Sequence, residues 1–171
     1  MLTGMSAAKI TWCVLVALAL TLVPASASAT DAAPAAPHWR WPTSPPAAVL
    51  HPFLAPPGPY AAGHRGVDFA AAPGDVVLAP ADAVVQFAGV VVDRPVVTLR
   101  VDEHVLVSFE PVTATADTGT MLTAGHALGT VARGGHCDGV CLHVGVRVDG
   151  EYVSPMLYFA GIPPAVLLPL Q

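Results

Sequence analysis

Positive charge is the scarcest commodity in this sequence: its 171 residues hold seven lysines and arginines together, against twelve acidic residues, and the one lysine is Lys9. Nothing here supplies the basic footprint by which proteins grip nucleic acid, so that class of partner is excluded. Helical periodicity is absent beyond the N-terminal segment, which argues against a helical bundle. Cysteines number three, Cys13, Cys137 and Cys141. The long apolar run, residues 10–23, is shorter than the roughly 20 residues a bilayer-spanning helix needs. The mean hydropathy of +0.61 reflects that run and the many alanines and valines, and is no sign of a membrane protein.

What is present begins with Lys9, the apolar run, Pro24 and the small-residue string Ala25-Ser26-Ala27-Ser28-Ala29. This reads as a signal peptide, residues 1–29, cut after Ala29, with an uncleaved anchor as the alternative. In both readings the folded part lies outside the cytoplasm, secreted, extracellular or cell-wall associated. With the leader gone there is no membrane contact. Cleavage leaves two cysteines, Cys137 and Cys141, and an even count in an oxidising compartment suggests a disulfide. So short a loop gains only about 2 kcal/mol from closure, so the bond's use is to shape a turn.

Residues 30–60 form a Pro/Ala-rich arm or linker, exemplified by Pro42-Thr43-Ser44-Pro45-Pro46 and Pro56-Pro57-Gly58-Pro59. Such a stretch favours extended polyproline conformations and is not expected to supply ladder donors. Trp39, Trp41, Val49, Leu50 and Phe53 interrupt it, which predicts that the arm packs on the domain. Residues 61–160 then change to short valine-rich runs, and 161–171 are a tail. Strands are expected over 76–79, 83–92, 96–101, 105–109, 127–132 and 142–148, with a last one near Tyr152. Turn signals separate them, the strongest being Asp149-Gly150. The predicted fold is all-β, an antiparallel sandwich or barrel-sandwich hybrid with a groove.

One constellation could carry chemistry. In Gly63-His64-Arg65-Gly66-Val67-Asp68 an extended backbone puts His64 and Asp68 on one face, and Gly66 allows close backbone approach. Far along the chain, Leu142, Val144, Val146 and Val148 would line one face of a strand while His143, Gly145 and Arg147 line the other. Two imidazoles and a carboxylate with a fourth position open are a standard set for a catalytic zinc. Each histidine alone is more ordinary as a solvated or hydrogen-bonded side chain.

Over residues 63–157 these pieces resemble the lysostaphin/LytM family of zinc metallopeptidases, which cut peptide cross-links in bacterial cell walls. The resemblance rests on His64-Arg65-Gly66-Val67-Asp68, Gly74-Asp75-Val76-Val77-Leu78-Ala79-Pro80-Ala81-Asp82-Ala83-Val84-Val85, Gly125-His126-Ala127-Leu128-Gly129 and Leu142-His143 followed by a strand. It implies His64, Asp68 and His143 as ligands of one zinc ion, peptidoglycan peptides as the partner, and a monomer. Two family histidines are replaced. Cys141 stands for the first of a His-x-His pair, and Glu110 for the histidine after a mid-chain strand. The wording Glu110-Pro111 and Gly135-His136-Cys137 before Cys141-Leu142-His143 resembles a secreted actinobacterial branch of that family.

Glu110 is then either a replacement base or a surface carboxylate at a strand end. Cys141 is a disulfide partner of Cys137, a zinc ligand or a nucleophile. His136 is a stand-in proton shuttle, a substrate-side hydrogen bond or a plain loop residue. Arg65 and Arg147 are either ordinary strand-edge residues or candidates to line the cleft and bind an anionic group of a substrate, and His38, His51, His104 and His126 lack partner spacing and are read as surface or turn residues. The function implied is a secreted zinc endopeptidase acting on peptidoglycan cross-links. Its alternative is a degenerate relative that binds wall peptides or regulates a partner hydrolase. A third class, the biotinyl or lipoyl carriers, shares the look of segments 79–85 and 124–129. Carriers attach their cofactor to lysine, and the chain past its leader has none.

Overall fold

The computed structural model describes residues 38–43, 48–58 and 60–159. The expected signal peptide and C-terminal tail lie outside the described residues. Among those described, no helix is long and apolar enough to cross a membrane.

Valine-rich alternation produces strands because each branched side chain packs on a pleated, half-buried surface. The strands are β1 (Val49–His51), β2 (Val67–Ala70), β3 (Val76–Leu78), β4 (Ala83–Val91), β5 (Arg94–Arg100), β6 (Val105–Glu110), β7 (Val112–Ala114), β8 (Met121–Leu122), β9 (Ala127–Val131), β10 (Cys141–Val148) and β11 (Glu151–Val153). A short helix, α1 (Met156–Phe159), follows. The large sheet runs β1-β2-β10-β6-β5-β4-β8, with β11 also paired to β10, and a smaller sheet runs β3-β9-β7. All pairings are antiparallel.

The two sheets enclose one core. Phe69, Leu99, Phe109, Leu142 and Val144 of the large sheet meet Val77, Leu128 and Val112 of the small one. Each such side chain, fully buried, is worth roughly 1.5–3 kcal/mol. Strand β6 shows how the site is positioned: Val105, Val107 and Phe109 turn into this core, which leaves Leu106, Ser108 and Glu110 on the opposite face. Strand β10 behaves likewise, burying Leu142, Val144 and Val146 and turning His143 and Arg147 the other way. Asp149 and Gly150 both adopt positive φ and join β10 to β11, as their sequence predicts.

The arm packs on the domain. Trp39 is buried and stacks on Tyr158 at 4.2 Å between ring centroids, and Trp41 stacks on Phe159 at 5.4 Å. Val49 and Leu50, by contrast, stay exposed. One expectation is corrected: the arm does supply ladder groups. The proline-free segment Val49–His51 adds β1 to the edge of β2, and Leu54 exchanges two backbone hydrogen bonds with His64, at 2.9 and 3.0 Å. Prolines on both sides confine this pairing to a few residues at a sheet edge, where proline is tolerated.

Candidate metal centre

Register builds the site. On one face of the large sheet, His51 stands opposite Asp68, Asp68 opposite His143, and His143 opposite Glu110, a row across four neighbouring strands. Directly opposed residues bring their Cβ atoms within about 5 Å of each other, so these polar side chains converge. His64, just before β2, folds over the row. Gly66 is what allows it: a Cβ there would meet the His143 ring at 2.6 Å and collide with the Val144 carbonyl oxygen. Gly145 matters less to His143, because its Cβ would stand at an ordinary 3.7 Å from the ring.

Three donor atoms meet at the centre. His64 Nε2 lies 3.0 Å from Asp68 Oδ1 and 3.1 Å from His143 Nδ1, and His143 Nδ1 lies 2.7 Å from Asp68 Oδ1. His64 Nδ1 donates to the Pro52 carbonyl at 2.7 Å, which fixes the tautomer and leaves Nε2 as a bare lone pair in the neutral ring. With His143 neutral and its proton on Nε2, the three lone pairs would point at one another at these distances and repel. One shared proton relieves one contact, whereas a divalent cation among the three relieves them all. Ligands of a tetrahedral zinc stand about 3.4 Å apart when bound at about 2.1 Å. The donors present therefore fit that ion.

A fourth group joins them. His136 Nε2 lies 3.1 and 3.2 Å from the two oxygens of Asp68, and the donor atoms of His64, Asp68, His136 and His143 all fall within 4.8 Å of one another. Its loop is tied by the Cys137–Cys141 disulfide, with Cα atoms 4.9 Å apart. Of the three readings of Cys141, the disulfide is the one the structure adopts. Both sulfurs lie close enough to Asp68 and His136 to share a cation, but bonded to each other they are not thiolates and are withdrawn as ligands. Gly134 and Gly135, both at positive φ, let the loop lie against Asp93 and Arg94.

The Asp68 side chain is 1% exposed. Burial alone would raise its pKa, yet hydrogen bonds and charge from His136 and His143 outweigh burial and hold the carboxyl below its ordinary value. Burial pushes His143 below the ordinary histidine value against the pull of Asp68, so it stays neutral and ligand-ready near pH 7.

The other expected residues are placed as follows. Glu110 enters the site, but Arg94 Nε donates to its Oε2 at 2.9 Å. Arg65, Arg94, Glu110, His143 and Tyr152 line a groove of about 270 Å³. Arg147 faces a separate depression with Arg100 and Asp149, and approaches the groove only through Tyr152, whose ring it and Arg65 flank at 5.7 and 5.9 Å. His38, His104 and His126 are exposed. The expectation of no partner fails for His104, whose Nδ1 lies 2.6 Å from Asp149 Oδ1 away from the site, and for His51, whose Nδ1 lies 3.0 Å from Asp68 Oδ2 within it. Sequence reasoning missed His51 and Arg94, since both act through partners fixed by strand pairing and neither sits in a recognisable local motif.

Comparison with known proteins gives this geometry a family. Residues 62–155, more than half of the chain, match the model of Peptidase family M23. An uncharacterized protein of Mycobacterium tuberculosis and one of Mycobacterium bovis are each 38% identical over 122 residues, covering 68% of this chain and 49% of theirs. The chain thus spans about half the length of the curated relatives it matches. Among solved structures, a zinc containing peptidase from Vibrio cholerae superposes with a TM-score of 0.59 at 16% identity, over 68% of this chain and 38% of that one. The catalytic domain of a prophage-encoded M23 protein, EnpA, from Enterococcus faecalis gives 0.56 at 23%, over 71% and 95%. Lysostaphin gives 0.57 at 19%, over 71% and 52%. The all-β fold that carries the His64, Asp68 and His143 cluster is shared with these structures, and the chain belongs to Peptidase family M23.

Proposed function

We propose that the chain is an exported, zinc-dependent endopeptidase acting on peptidoglycan peptides. The observation that carries this reading is the meeting of His64 Nε2, Asp68 Oδ1 and His143 Nδ1 at 2.7 to 3.1 Å, with His143 also lining a groove, in a chain of a peptidase family. When bound, zinc supplies a Lewis acid for a peptide carbonyl and lowers the pKa of water toward about 7. The chain's own groups do the rest. An extended peptide lies along the groove, with Arg65 placed to meet an anionic group. His136 is the proton carrier: half exposed at 50%, on a loop and not in the strand row, it donates Nε2–H to Asp68, which leaves Nδ1 as the base that takes a proton from the attacking water and returns it to the leaving amine. Glu110 is poorer placed for that task, because Arg94 occupies its Oε2.

A second reading has its own support. The two positions where the resemblance puts helper histidines hold a disulfide-bonded Cys141 and the ion-paired Glu110. On that basis the chain would bind wall peptides, or regulate a partner hydrolase, without cutting. Incubating zinc-loaded protein with purified cell walls separates the two readings. Release of soluble peptide amines, stopped by a chelator, is expected. No release with one zinc demonstrably bound would favour the binder.

A further inference from the structure

The family match begins at residue 62, yet two hydrogen bonds that orient the central cluster come from the chain before it. Pro52 offers its carbonyl to His64 Nδ1, and His51 Nδ1 meets Asp68 Oδ2 at 3.0 Å. Building on the cation site above, we propose that His51 is a positioning residue for it. His51 engages one oxygen of Asp68 so that the other alone is presented to the metal.

The division of labour on Asp68 supports this. Oδ1 faces His64, His143 and His136, while Oδ2 is left to His51 and His136. A carboxylate with both oxygens free can rotate and bind through either or both. A donor fixed on Oδ2 removes that freedom and aims Oδ1 at the imidazoles. His51 is held where it can do so, because β1 places it opposite Asp68 and the Leu54–His64 bridge anchors the segment that follows. Its side chain is 70% exposed over an Asp68 that is 1% exposed, so it caps the carboxylate from solvent and fills no core space. Partners that hydrogen-bond metal ligands from outside change metal affinity by about 10- to 100-fold when removed.

The test is zinc affinity, measured on the full chain by competition with a chromophoric chelator. His51→Ala should weaken binding by about 10- to 100-fold. His51→Asn should recover most of the loss, since its Nδ2 is borne on Cγ just as the imidazole Nδ1 is. Metal-free unfolding midpoints should match the parent in both variants. In cobalt-loaded protein the visible bands of His51→Ala should lose intensity as Asp68 gains freedom to bind through both oxygens, and those of His51→Asn should not. Parent-like affinity in His51→Ala overturns the proposal, as does a loss of affinity that merely tracks a loss of metal-free stability. A parent chain that holds no zinc overturns the site reading itself, and His143→Ala, which should abolish binding in a competent parent, keeps the two failures apart.

Discussion

The two halves of the site are built differently. On the β2 and β10 side, Asp68 and His143 sit in register on adjacent strands, backed by Phe69, Leu142 and Val144 in the core. On the other side, Glu110 shares this register through β6, and His136 stands outside the sheet. Glu110 is tethered to Arg94, and His136 rides a glycine-flanked loop pinned by a disulfide. Holding a cation needs donors fixed to fractions of an ångström, which strands supply. Moving a proton tolerates a group on a loop, whereas the two positions where the resemblance puts helper histidines, Glu110 and Cys141, lie on β6 and β10.

The sharpest way to break this comparison is to attack the rigid half. His143→Ala or Asp68→Ala should reduce bound zinc from one ion per chain to background after dialysis, a loss of affinity beyond the 100-fold or so expected for an outer partner. The loop half should behave differently. His136→Ala should keep its zinc and lower kcat on cell-wall fragments by about 10²- to 10⁴-fold, whereas Glu110→Gln should cost less than about 10-fold. If His136→Ala loses the metal instead, His136 belongs with the ligands. Replacing both cysteines by serine should lower unfolding free energy in denaturant titration by about 2 kcal/mol and release the His136 loop while sparing zinc binding.

The smallest expected effect is on pH. His143 is held below the histidine value of 6.5 in the folded chain, so the unfolded chain takes up its proton first as pH falls. The metal-free protein should therefore lose stability from about pH 6.5 down to the lower folded value and then level off. Asp68, held below 3.8, adds a second loss below that pH. Thermal unfolding of chelator-treated protein across pH checks both steps. A profile flat between pH 7 and 5 would deny that burial keeps His143 neutral.

How much of this was legible in the sequence follows the same division. Local alternation announced the core face of β10, a valine-rich run announced β6 as a strand, the Asp-Gly pair announced the β10–β11 turn, and the spacing from His64 to Asp68 with Gly66 between announced two donors. Short partners were silent. β7 and β8 span three and two residues, too few to show a period. Neither does the β4–β5 turn carry a signal, since Val92 adopts a φ of 60° without a glycine or asparagine to mark it. The places of His51, Arg94 and His136 in the site depend on pairing between strands and loops 16 to 68 residues apart, which no local pattern encodes.

The central claim is that one cation is held by nitrogen and oxygen from His64, Asp68 and His143, with the neighbouring sulfurs locked away. X-ray absorption at the zinc edge of the loaded protein tests this most directly. The account predicts a first shell of nitrogen and oxygen alone at about 2.0–2.1 Å, gaining sulfur only after a dithiol reduces Cys137–Cys141. A sulfur shell at about 2.3 Å in the oxidised protein, or zinc that washes out of it, would contradict the account.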